Sequence, residues 1–347
     1  MGKRQRLESV ITRIFEDEEL VSFYPTYGYR DGGAWKIPIR AWVHERRRLV
    51  EKLVKGLAAD IGDADERERK NLKARIKGIV ADSESDEKVV FQFEGDPKSE
   101  KWRIQREDGA HPESDLNGVV EGFILLGGER ASEILEAQGS EDGWLTYHAV
   151  SEDHSGVGRV RLIEGEGICV VSDIDDTIKI TEIPSGGKVV VKNTFFRDFR
   201  TVPGMVDEYR ELDRRHENIS FHYVSGGPWQ LFKPLFQFVI DEGYPEGSFH
   251  MKSVPKNLLS PNTWNDLFEL LGDATVNQKI SQISELMHRF PERKFILVGD
   301  SGEHDPEVYA GLRESFGSQI KEIWIRDLVN ARAENPDRLA GMRIIEA

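Results

Sequence analysis

Cysteine is nearly absent from the chain. The single residue, Cys169, lies inside an apolar run, which excludes an intrachain disulfide and any cysteine cluster for zinc. Long apolar stretches are missing as well: no run approaches the roughly 20 residues that a membrane-spanning helix needs. The opening "MGKRQRLESVITRIFEDEEL" puts charged residues where a secretory signal has its apolar core. Positive charge is in deficit, with 47 Lys and Arg against 62 Asp and Glu and a net charge of -15. Long-range repulsion therefore opposes general binding to nucleic acid and whole-surface attraction to anionic lipid, although local patches escape that argument. No internal repeat or low-complexity tract occurs. The expectation is a cytoplasmic protein with no transmembrane segment and no nucleic-acid partner. At 347 residues the chain exceeds most single cores, so two domains are expected.

What is present changes character near Gly165. From about Val21 to Ile163, short alternating segments such as "AWKIPIRAWV", "KVVFQF" and "GWLTYHAV" are separated by turn residues, the pattern of an antiparallel sandwich or barrel. One helical insertion interrupts it between about Glu45 and Val80. There Leu49, Val50, Leu53, Val54 and Leu57 recur at helical spacing beside Arg46, Arg47, Arg48, Lys52 and Lys55, and "RERKNLKARIKG" follows. Two readings of the insertion stand: a solvated helix pair packed on the sandwich, or, within a basic segment 36–77, an amphipathic device that meets an anionic membrane surface. After Gly165 come four near-continuous apolar strands, "ICVVS", "ISFHYVS", "KFILVGD" and "IKEIWIR". Helical patterns at about Gly204–Arg215, Trp229–Asp241 and Val276–Phe290 lie between them, the signature of a parallel sheet with crossover helices. Trp229, Phe232 and Phe236 read as core rather than as a lipid-contacting stripe. The expected architecture is a β-rich domain over 1–164 that carries the helical insertion, then an α/β, Rossmann-like parallel-sheet domain over 165–347.

In open α/β sheets the ligand sits beyond the carboxyl ends of the strands. Those ends carry Asp173 and Asp175 in "ICVVSDIDDTIKIT", then Ser225 followed by Gly226, then Asp300. Carboxylates converging from two strand ends suit a hard cation, and Mg²⁺ takes one or two of them together with phosphate and water. An aspartate is ionised at neutral pH and can attack phosphorus without a base, and a second carboxyl two residues on can move the protons if its pKa is raised. A serine hydroxyl, glycine N–H groups and a lysine can hold the phosphoryl oxygens. Asp176 either continues the catalytic pattern or caps the next turn, and Ser225-Gly226-Gly227 has the alternative of a plain tight connection.

In this order the residues resemble the haloacid dehalogenase superfamily: "DIDDT" is similar to its Asp-x-Asp-x-Thr motif, Ser225 to its second motif and "GDSGEHD" to its final acidic motif, over about Gly165 to Asp327. The resemblance implies Asp173 as nucleophile and metal ligand, Asp175 as general acid and base that binds the metal through its carbonyl, and Thr177 as a support of the turn. It implies Asp300 as metal ligand, with Asp305 direct or behind it. Lys279, ahead of Lys252, is the expected phosphate-neutralising lysine. His304 is read as solvated or behind the site, and Asp305 before Pro306 as a helix cap as well. "SDIDDTIKIT", "FHYVSGGPWQL", "RFPERKFILVGDSGEHDPEVY" and, upstream, "YPTYGYRDGGAWKI" narrow the resemblance to the actin-patch phosphatidate phosphatase family. That implies Mg²⁺-dependent removal of phosphate from phosphatidate to give diacylglycerol. A small phosphomonoester as substrate and a silent scaffold protein are the alternatives. The proline-rich tail of the fungal members is absent from this sequence.

Overall fold

The structure, a computed structural model, describes residues 13, 21–45, 50–62, 64–150, 155–254, 263–271 and 276–345. They divide into two compact units, one within 1–47 and 81–164, the other within 48–80 and 165–347.

The first unit is built on a nine-stranded sheet. Its strands are β1 (Val21–Phe23), β2 (Thr26–Asp31), β3 (Ala34–Glu45), β4 (Asp82–Ser83), β5 (Val90–Phe93), β6 (Lys101–Arg103), β7 (Val119–Gly127), β8 (Trp144–Ala149) and β9 (Val157–Leu162). All pair antiparallel except β2 with β9. The alternation along β3 explains why it is central. Trp35, Ile37, Ile39 and Ala41 point into the core, while Lys36 and Arg40 on the other face pair with Glu107 and Glu121. Phe23, Phe91, Phe93 and Tyr147 fill that core with edge-on and tilted rings. A helix over Gly128–Gln138, unread in the sequence, closes at Gly139 in the left-handed conformation.

The second unit holds a six-stranded, all-parallel sheet in the order β12-β11-β10-β13-β14-β15. Here β10 is Ile168–Asp173, β11 Ile219–Pro228, β12 Ser248–Lys252, β13 Lys294–Asp300, β14 Ile320–Arg326 and β15 Arg343–Ile345. The four expected strands are its centre. The edge strands β12 and β15 escaped notice because they are short and only half apolar, as edges tend to be. Helices at Met205–Arg215, Phe232–Glu242, Val276–Arg289 and Asp305–Phe316 connect the strands. A further helix at Trp264–Leu271 was not expected. From β10 the chain moves outward to β11 and β12, then returns to the other side of β10 with β13. That reversal is the topological switch point, and it puts the ends of β10 and β13 side by side.

The helical insertion differs from the expectation. Its helices, Val50–Ile61 and Glu66–Ile79, group with the parallel sheet in one compact unit. The cause is the inner face of the second helix: Leu72, Ile76 and Ile79 are buried, and Arg75 donates from Nη1 to the carbonyls of Thr194 at 3.0 Å and Arg197 at 2.7 Å. The basic segment 36–77 is thereby split, since Lys36 and Arg40 stay in the β-rich unit. Arg46, Arg47, Arg48 and Leu49 lie outside the described residues.

Arg293, 2% exposed, secures the starts of the central strands by donating to the carbonyls of Glu166 at 2.6 Å, Ile168 at 2.8 Å and Asn218. Arg293→Met removes these three bonds, although the Asn218 carbonyl keeps the Ile168 N–H at 3.1 Å, and is expected to cost about 3 kcal/mol, read from the urea midpoint.

Candidate active site

Strand β10 is buried along its whole length and delivers Asp173 to the switch point with 1% exposure. Lys279 Nζ stands 2.9 Å from Asp173 Oδ1, yet neither Asp173 oxygen accepts a hydrogen bond. Asp300 ends β13, fully buried. Its Oδ1 accepts from the N–H of Gly302 at 2.6 Å and of Glu303 at 3.3 Å, while Oδ2 has no partner. Asp173, Asp300 and Glu303 bring one carboxylate oxygen each within 4.8 Å of the others.

The expected metal set was Asp173, Asp175 through its carbonyl, Asp300 and Asp305; the side-chain grouping shares Asp173 and Asp300 with it and brings in Glu303. Glu303 stands in the place foreseen for Asp305, whose Oδ1 takes Lys279 Nζ at 2.6 Å and whose Oδ2 takes the Asp300 N–H at 3.2 Å. Nor does Asp305 cap its helix: it is the first helical residue, and exposed His304 holds the cap position. Gly299 permits the arrangement, because a Cβ there would lie 2.4 Å from Asp305 Oδ2. Lys279 is 4% exposed and also reaches Glu303 at 3.4 Å, so the helix preceding β13 supplies the lysine. Lys252 ends β12, two strands from Asp173.

The carboxyl of Asp175 faces a different set of groups. Its Oδ1 takes Lys179 Nζ at 2.7 Å and Thr181 Oγ1 at 2.6 Å, and Oδ2 takes the hydroxyl of Ser225 at 3.3 Å. Ser225, fully buried, accepts from the Gly227 N–H at 3.0 Å, and Gly226 between them is partly exposed. Asp176, with φ of 58°, is a turn residue. Its side chain accepts the N–H groups of Thr181, Glu182 and Ile183 at 2.6–2.8 Å, which leaves it no part in the cluster. Thr177 is buried, but its hydroxyl has no hydrogen-bond partner, so any support it lends the turn comes from packing. Lys179, Thr181 and Glu303 were missed in the sequence. Lys179 and Thr181 sit two residues apart in the run after "DIDD", and only the turn shows that both reach back to Asp175.

Burial pushes the Asp173 carboxyl well above the usual range against the opposing charge of Lys279, and Asp305, Glu303 and Asp300 add to the rise. Burial followed by its carboxylate neighbours does the same to Asp300. Burial also raises Glu303, against Lys279. Lys279 is held well above its ordinary value: burial opposes the charge, but Asp173, Asp305 and Glu303 outweigh it. Asp175 goes the other way. Burial would raise it, yet the charge and hydrogen bond of Lys179 and the hydroxyl of Thr181 bring it below the ordinary value, contrary to the expected upward shift.

One buried ammonium among four carboxylates leaves an excess of negative charge, and Oδ2 of Asp173 and Oδ2 of Asp300 have no hydrogen-bond partner. An all-oxygen set of this kind fits a hard divalent cation. The three raised carboxyls bind protons more tightly folded than unfolded. Their contribution to stability is therefore full below about pH 4 and is lost as the pH rises through the raised values. A bound cation offsets that loss, so chelation is expected to lower Tm by several degrees at neutral pH and by less in mild acid, as read by calorimetry.

Residues 168–327 match the family described as "Phosphatidate phosphatase APP1, catalytic domain". The segment is similar to the catalytic domain of the APP1 phosphatidate phosphatases. Phosphatidate phosphatase APP1 of Saccharomyces cerevisiae is 34% identical over 174 residues, covering 49% of this chain and 27% of the yeast protein. A Schizosaccharomyces pombe protein described as uncharacterized is 27% identical over 225 residues, covering 61% of this chain and 34% of its own. The chain thus spans about a quarter to a third of the length of these relatives. Among solved structures, a sialyltransferase from Photobacterium damsela aligns at 9% identity over 75% of this chain and 78% of its own, with a TM-score of 0.16 that carries no argument about the fold. Every residue of the acidic cluster, with Asp175, Ser225 and Lys279, falls inside the APP1-type segment, whereas Arg75 and its two helices lie outside it. No helix of the described residues is long and apolar enough to cross a membrane.

Proposed function

We propose that this chain is a Mg²⁺-dependent phosphatidate phosphatase, built on the haloacid dehalogenase plan and acting through an acyl-phosphate on Asp173. The observation that carries this reading is the pair of buried Asp173 oxygens without a hydrogen-bond partner, at a strand end shared with Asp300 and Glu303. Held by Asp173, Asp300 and Glu303, with the Asp175 carbonyl as a further ligand, Mg²⁺ would neutralise charge on the phosphoryl oxygens. Asp173 attacks phosphorus with one oxygen, and the bond from phosphorus to the glycerol oxygen breaks. The leaving oxygen takes its proton from Asp175 at Oδ2, which carries only the longer 3.3 Å bond from Ser225, whereas Oδ1 is engaged by Lys179 and Thr181. Asp175 then takes a proton from the water that attacks the acyl-phosphate, freeing Asp173 and inorganic phosphate. Ser225, with the N–H groups that follow it, and Lys279 hold the phosphoryl oxygens. Ile183–Ser185 and the short helical turns through Phe196 offer no large cap, which suits a substrate presented by a membrane.

The test is phosphate release by the full chain from phosphatidate in mixed micelles, against soluble phosphomonoesters, with Mg²⁺ and with chelator. Preference for phosphatidate that the chelator removes supports the reading. Turnover of soluble esters alone moves the substrate to that class, and no turnover at all points to a binding protein. Asp175→Asn is expected to slow leaving-group release about 100-fold or more on alkyl phosphates and much less on aryl phosphates, whose leaving groups need no proton. Equal losses on both would remove Asp175 from proton transfer.

A further inference from the structure

The two helices of the insertion have an outer face that the catalytic reading does not use. On Glu66–Ile79, six basic side chains stand against two acidic ones. Arg69, Lys70, Lys73 and Lys77 recur at helical spacing on its exposed side, and Lys52 and Lys55 are exposed on Val50–Ile61. Lys73 pairs with Glu51 at 3.0 Å. Lys52, Lys55, Arg69, Lys70 and Lys77 have no acidic partner among the described residues, in a chain with 62 acidic residues to offer. Between the helices runs a groove of about 770 Å³ with Val54 and Ala58 in its floor and Lys55, Arg69, Lys70 and Lys73 on its rim.

The inner face fixes these charges to the site. Asn71 Nδ2 donates to the Phe196 carbonyl at 2.9 Å and to Asp198 at 3.0 Å. Arg75 stacks 3.8 Å over the ring of Phe199, over which Lys179, the partner of Asp175, also lies at 5.0 Å. Gly78 approaches so close to the turn after β11 that a Cβ would meet the Gln230 carbonyl at 2.5 Å. The helix pair therefore sits on the loops that leave β10 and β11, at the carboxyl end of the sheet, where the carboxylates converge.

We propose that the outer face of this helix pair docks on the anionic surface of a phospholipid bilayer through Lys52, Lys55, Arg69, Lys70 and Lys77, bringing the mouth of the site to the membrane. The proposal rests on the lipid-phosphate reading of that site. With a net charge of -15, long-range attraction is excluded, so the contact acts within about a Debye length, roughly 8–10 Å, and is salt-sensitive.

The experiment is co-sedimentation of the full chain with phosphatidylcholine vesicles that contain or lack phosphatidylserine, a lipid the site does not hydrolyse, at low and high salt. The wild type is expected to bind only the phosphatidylserine vesicles and to release them in high salt. At about 1 kcal/mol for each cation, near fivefold, Lys55→Glu/Arg69→Glu/Lys70→Glu/Lys77→Glu should weaken binding at least about 100-fold while turnover of a soluble aryl phosphate stays unchanged. A wild type that ignores phosphatidylserine at low salt, or a variant that binds as well as wild type, overturns the proposal. Should the reversed variant lose soluble turnover too, the corresponding Gln variant decides: retained vesicle binding there overturns the proposal, and lost binding with normal turnover supports it. Hydrolysis of phosphatidate in detergent micelles is scored separately. Its failure removes the substrate reading, whereas micellar hydrolysis without vesicle binding removes the docking surface alone.

Discussion

Asp173→Asn is expected to lower Mg²⁺-dependent phosphate release at least about 1,000-fold, because the amide keeps the shape of the carboxylate and loses the nucleophile. Stability should move in the opposite direction. Asp173 is 1% exposed among Asp300, Glu303 and Asp305, and its carboxyl is pushed up by burial and by those neighbours. Removing one charge from that group relieves repulsion in the cation-free protein, so the urea midpoint in chelator should rise while activity disappears. A variant that keeps substantial turnover would place the nucleophile elsewhere. One that is inactive and also unfolded would show that the aspartate serves the fold first.

Lys279→Met should have the second large effect. The ammonium is 4% exposed and lies 2.9 Å from Asp173 and 2.6 Å from Asp305. Methionine fills much of the same volume but leaves the carboxylates without their cation, which is expected to cost about 3–5 kcal/mol in chelator. Added Mg²⁺ should restore part of that loss, since a divalent cation neutralises the same oxygens. Urea unfolding with and without Mg²⁺ measures both terms. An unchanged midpoint in chelator would mean that the carboxyls take up protons once the lysine is gone.

Much of the parallel-sheet unit was legible in the chain because buried parallel strands are nearly continuous apolar runs, and such runs end abruptly. "ICVVS" and "KFILVGD" announce Asp173 and Asp300 at their carboxyl ends, and Lys279 was placed by the helix that feeds β13. The partners of these residues were harder to read. Glu303 and Asp305 stand two apart in one loop, and which of them turns toward Asp173 depends on the close approach that Gly299 allows. Asp176 and Asp175 are adjacent acids with unlike duties, separated only by a backbone in the left-handed region. The downward shift of Asp175 follows from Lys179, and a lysine four residues away on a turn has no fixed partner until that turn is formed.

The helical insertion marks the same boundary at larger scale. Its helices and their basic outer stripe follow from periodicity, a local property of covalently adjacent residues. The surface that the inner stripe covers is a long-range choice. Leu72, Ile76 and Arg75 could have met any apolar face with free carbonyls, and the amino-terminal position of the insertion favoured the β-rich unit. Only the folded chain presents the Thr194 and Arg197 carbonyls and the ring of Phe199 where Arg75 can satisfy its donors out of water. By itself the sequence determined the elements, the strand-end carboxylates and their order. Tertiary structure decided which carboxylates stand close enough to share a cation, which lysine faces which aspartate and which unit the helices join, because each of those depends on distances between residues that lie far apart in the chain or across a turn.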